Sequence, residues 1–159
     1  MTTRKAIPII LAAVCAFAAS SAWYSSVLFG RQSFASSGLA ATTRPVGLKI
    51  AAELSRNLLL AFVISWLLGH HKPIALRDAI GLVIILWLGF PFTLLSGSAL
   101  WQNVPLALGL IHGGDWLLKI LLMTLTLWLI DRNSEMRVHL TRIRAARELK
   151  SDAVAERAL

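Results

Sequence analysis

Four apolar blocks, at about 6–29, 47–69, 79–101 and 105–130, govern what this chain can fold into. A helix rises about 1.5 Å per residue, so some 20 residues cross a hydrocarbon core of about 30 Å. Backbone amides in lipid must find their hydrogen bonds within the element, which makes each block a helix. The expected fold is an all-α integral membrane protein: a four-transmembrane-helix bundle over 1–131, then a basic cytoplasmic helical tail over 132–159. Hydrophobic residues reach 57% and charged residues fall to 15%. Soluble domains average about 45–50% apolar.

The blocks differ. Arg4 and Lys5 precede the first, and "AFA" and "SSA" within it resemble signal-peptidase sites. Apolar sequence continues past them through "WYSSVLF", so a retained helix is favoured over a cleaved signal. In the second block only "NLLLAFVISWLLG" is cleanly apolar, and it is too short to span. That helix must include Glu53 and Arg56, or lie partly in the interface. Asp78 is placed to cap the third helix, and Pro91 to bend it. Pro105 suits the first turn of the fourth.

Lysine and arginine set the orientation. Four spans put both termini on one side, together with Arg4, Lys5, Lys72, Arg77 and seven cations of the tail. The other side holds Arg31, Arg44 and Lys49. The positive-inside rule then predicts cytoplasmic termini in a bacterial inner membrane. The net charge of +8 is read as topology, not nucleic-acid binding, because no basic–aromatic module is visible. Trp23, Tyr24 and Trp101 are expected as outer interface anchors, Trp66 and Trp128 as inner ones.

After Asp131 the sequence turns charged and helix-prone. Asn133 or Ser134 is a candidate cap for a new helix. Met136, Leu140, Ile143, Leu149 and Ala153 follow helical spacing, and Arg144 and Glu148 form an i,i+4 pair. This basic amphipathic helix suits anionic lipid or a partner protein.

Charges inside the fourth block are the candidates for chemistry. Asp115 and Lys119 are spaced to pair with each other. Depth counted from the helix starts gives a second arrangement, with Glu53 beside His112 and Arg56 beside Asp115, so the second and fourth helices should face one another. This polar cluster (Glu53, Arg56, His112, Asp115, Lys119) reads either as structural pairing or as the lining of a polar path. Gly109 and Gly113 form a Gly-x-x-x-Gly, and Ala12, Ala16 and Ser20 a small-residue face; both suit close helix contact, within the bundle or in a homo-oligomer. Cys15 reads as a small packing residue. His70 and His71 point differently and are expected in a loop, with no metal. No cofactor or catalytic motif is found.

"SAWYSSVLFG" and "LWQNVPLALGLIHGGDWLLKILLM" together resemble the domain of unknown function 1761 family, small multi-pass bacterial membrane proteins. Its members tend to carry Trp-Tyr-Ser-Pro-x-x-Phe-Gly closing the first helix and an Ile-Asn-x-Gly-Tyr-like stretch opening the last. Trp23, Tyr24, Ser25, Phe29 and Gly30 match the first, with Ser26 where Pro is usual. Ile111 and Gly114 match the second, with His112 for Asn and Asp115 for the aromatic. The resemblance covers about 6–130 and implies a fold, not an activity.

Three functions follow. The chain is first a non-catalytic membrane protein that packs against partners or itself. The alternative is a small oligomeric channel or proton-linked transporter using the polar cluster. A membrane enzyme comes third. A cavity reaching Asp115 would favour the second over the first.

Overall fold

The computed structural model describes residues 6–37 and 45–158, with the side chains of 135, 138 and 144–158 left out. Arg4, Lys5, Arg44 and the Arg144–Glu148 side-chain pair lie outside the described residues. Among the described residues, six α-helices follow in order: α1 (Ala6–Trp23), α2 (Gly30–Ser37), α3 (Val46–His71), α4 (Leu76–Trp87), α5 (Thr93–Trp101) and α6 (Leu106–Ala158). No strand occurs among the described residues. Among the described residues, four helical stretches are long and apolar enough to cross a membrane: Ala6–Trp23, Val46–His71, Leu76–Trp101 and Leu106–Ile143.

Local chemistry sets the boundaries. The first helix stops at Trp23, not Phe29, because the chain turns there. The Phe29 amide bonds the Trp23 carbonyl and the Gly30 amide the Ser25 carbonyl. A Cβ on Gly30 would stand 2.3 Å from the Tyr24 carbonyl oxygen, so only glycine fits the turn. Residues 30–37 then form an unexpected short helix, α2. His70 and His71 are the last residues of α3, not a loop, and the Trp66 and His70 rings lie 4.6 Å apart. Lys72 ends α3 in the left-handed region (φ 43°), its amide on the Leu68 carbonyl.

Asp78 is the third residue of α4 rather than its cap. Its carboxylate accepts the Ala75 amide at 3.1 Å, satisfying one donor at the helix start. Between α4 and α5 lies a π-turn, Leu88–Phe92, with Pro91 buried inside it. Proline cannot donate to the carbonyl one turn back, and widening the turn accommodates its ring. The Thr93 hydroxyl bonds the Leu88 carbonyl at 3.0 Å.

The chain divides into two compact units, Met1–Leu127 and Trp128–Leu159. In the first, α1 packs against α3. The α1 face is small, with Ala12, Ala13, Ala16 and Ser20 buried; on α3, Asn57, Ala61, Ile64 and Leu68 repeat at helical spacing. From Ile111 to Leu127 every residue of α6 is buried or half-buried. The other helices turn apolar faces outward, as at Ile85, Leu94 and Leu100. Cys15 is exposed on α1 and does not pack as expected.

In the second unit the helix runs through Asn133 and Ser134, so neither caps a new helix. Ser134 instead bonds the Asp131 carbonyl within the helix at 2.6 Å. The Arg132 guanidinium lies over the Trp128 ring at 5.1 Å.

Candidate functional site

Three helical stripes meet around one cleft. Phe17, Ser20, Ser21 and Tyr24 come from the end of α1 and the residue after it. Lys49, Glu53 and Arg56 come from the first turns of α3, and His112, Asp115, Trp116 and Lys119 from α6. Each set repeats at three- and four-residue spacing, which keeps it on one face of its helix. The cleft has a volume of about 590 Å³. All five members of the expected polar cluster line it.

Their pairing differs from the expected ladder. Lys119 Nζ bridges two carboxylates, Glu53 Oε1 at 2.6 Å and Asp115 Oδ2 at 3.0 Å. Arg56 bonds Glu53 Oε2 at 3.2 Å rather than Asp115. His112 meets the Tyr24 hydroxyl, Nδ1 to oxygen 2.6 Å, rather than Glu53. The α3 and α6 helices do present their charged faces to each other, but the register is offset. Depth counting assumed that both helices start level. It also ignored that helical side chains lean toward the N-terminus, which carries Lys119 Nζ up to Asp115.

Burial grades the charges. Lys119 and Asp115 side chains are 6% and 5% exposed, Glu53 26% and Arg56 62%. The deep part therefore holds one ammonium between two carboxylates, with Arg56 at the rim. The Arg56 guanidinium and the Lys119 ammonium both lie about 6 Å from the Trp116 ring centre, within cation–π range. Asp115 Oδ1 is buried without a hydrogen-bond partner.

Two indoles hold α6 in place. Trp23 Nε1 donates to the Ile111 carbonyl at 3.1 Å, and Trp87 Nε1 to the Gly113 carbonyl at 2.8 Å. Phe29 stacks on Trp23 with ring centres 4.5 Å apart. A Cβ on Gly114 would come within 2.7 Å of the Trp23 ring, whereas one on Gly113 would make ordinary contact with Leu95 and Trp87. Successive helical residues point about 100° apart, so the two glycines serve two different neighbours. Gly109 faces open space and makes no close contact within the chain, whereas Gly113 and Gly114 both meet neighbouring helices.

Trp23 and Tyr24, expected as headgroup anchors, have their polar ends on α6. Trp66 and Trp101 are exposed, and Trp128 carries Arg132. Sequence reasoning missed Trp87 and Trp116, since a tryptophan in an apolar run carries no sign of its partner. It counted Lys49 only as a topology marker. The α1 and α3 spacings were the available signal for the cleft.

The stretch 23–30 thus folds directly onto 111–115. Residues 7–128 match the model of a family described as a protein of unknown function (DUF1761). The chain belongs to the DUF1761 family. No curated protein and no solved structure matches it. In this DUF1761 protein the matching residues Trp23, Phe29, Gly30, Ile111 and Gly114 build the contact between the two stretches. Of the three departures, His112 and Asp115 line the cleft, beside the matching Tyr24.

Proposed function

We propose that this DUF1761 protein is a non-catalytic multi-pass membrane protein whose bundle presents a polar cleft to a small charged solute. It sits in a bacterial inner membrane with both termini cytoplasmic. The apolar outward faces support the membrane setting, because soluble proteins rarely expose such contiguous surface. The observation that carries the solute reading is the cleft reaching the Lys119–Asp115 pair. Ionisable groups at that depth in an apolar bundle cost several kcal/mol, about 2.5–3.5 per charge on insertion scales, and typically mark a solute or ion path. In this orientation the cleft opens toward the outer face, beside the end of α1 and the start of α3.

Thiol labelling tests this. In a Cys15→Ala background, His112→Cys should react with a membrane-impermeant maleimide in cells with a permeabilised outer membrane. Lys72→Cys should react only after lysis, since the reagent reaches the cytoplasmic side only then, whereas a reactive thiolate at residue 112 needs water in the cleft. A His112→Cys protein that stays unlabelled in both conditions rules out the open cleft. Labelling of Lys72→Cys before lysis reverses the orientation.

A second reading rests on the tail. Met136, Leu140 and Ile143 are exposed at helical spacing, with Arg137 and Arg142 beside them. This face suits anionic lipid, and it fits an accessory protein that docks through its tail.

A further inference from the structure

The cleft has unmet hydrogen-bonding capacity of both kinds, at different depths. At its floor, Asp115 Oδ1 is buried and accepts nothing, while Oδ2 is held by Lys119. A buried carboxylate oxygen without a donor is costly, so a ligand that brings an N–H there is favoured. At its rim, Arg56 spends one of its five donors on Glu53.

These features favour a doubly charged ligand over singly charged ones. A simple anion would find rim donors but would leave Asp115 Oδ1 unmet. A simple cation would satisfy Asp115 but would have to pass Arg56 and Lys49. With three cations and two carboxylates on its walls, the cleft as a whole repels it. Trp116, already flanked by Arg56 and Lys119, offers an apolar and cation-tolerant wall between floor and rim.

We infer that the cleft binds a small organic zwitterion, its ammonium on Asp115 Oδ1 and its acid group on Arg56. This rests on the proposed open cleft and names its ligand class. The volume of about 590 Å³ suits a small organic molecule rather than a bare ion.

Calorimetry on the full chain in lipid nanodiscs decides it. The probes are ω-amino acids with one to five methylenes, each compared with the alkylammonium and the alkanoate of equal length. One ω-amino acid should bind about tenfold or more tightly than both of its singly charged counterparts. Arg56→Gln should bring that affinity down to the alkylammonium value without weakening the alkylammonium itself. Asp115→Asn should bring it down to the alkanoate value; if that variant does not fold, Arg56→Gln decides alone. Equal binding of the zwitterion and either singly charged probe overturns the inference. So does no binding at all. If His112→Cys is labelled in that case, the open cleft survives and only the ligand class falls; if it is not, both fall.

Discussion

Gly109 and Gly114 sit five residues apart in one helix under different constraints. A Cβ at Gly114 would meet the Trp23 ring at 2.7 Å, and that ring is fixed by the Ile111 carbonyl and by Phe29. Gly114→Ala should therefore cost about 1–3 kcal/mol through overpacking. Gly109→Ala should be neutral or gain up to about 1 kcal/mol, because alanine favours the helix and nothing opposes its methyl. Unfolding midpoints of the two variants in one detergent check the contrast; equal losses would contradict it. Lys119 carries a larger stake. Lys119→Met leaves two carboxylates together in the bundle and should cost about 3–5 kcal/mol. Adding Glu53→Gln and Asp115→Asn to that variant should recover most of the loss. A single Lys119→Met protein with an unchanged midpoint would show that the pair holds nothing. These residues were partly legible in the sequence. Charges inside an apolar block announce themselves, so Asp115, Lys119, Glu53 and Arg56 stood out. Which glycine matters did not, because that depends on where an indole from another helix lands.

At the scale of elements, the π-turn at Pro91 and the uninterrupted α6 show how local rules are met. Pro91 was legible as a disturbance, and the widened turn absorbs it within a helix that still runs from Leu76 to Trp101. Asn133 and Ser134 looked like a cap, yet the sequence on both sides favours helix and the helix continues. The offset of Glu53 against Lys119 was not legible, since helix starts read from sequence carry no common depth. The tail's exposed Met136, Leu140 and Ile143 give the element-scale prediction. In nanodiscs containing anionic lipid, amides 132–143 should exchange more slowly than in zwitterionic nanodiscs. Arg137→Gln with Arg142→Gln should remove most of that difference, since each surface-bound arginine contributes about 1 kcal/mol. Equal exchange in the two lipids would leave the tail without a membrane role.

For the whole molecule, α6 is the axis around which the first unit is arranged. The end of α1 docks on it through Trp23 and Tyr24, α4 through Trp87, and α3 through Glu53. Four helices of spanning length could be read from hydropathy alone. The cleft could not, because it arises where three separately unremarkable stripes converge. The central claim is that Glu53, Lys119 and Asp115 meet at the wall of a cleft that water enters. A water-soluble carbodiimide tests contact and access together, since it must reach the carboxylate, and the activated group forms an amide only with an adjacent amine. Applied to native membranes and read by peptide mass analysis, it should yield an amide between Lys119 and Glu53 or Asp115. Recovery of unmodified Lys119, with Glu53 joined only to Lys49 or to the reagent, would contradict the account.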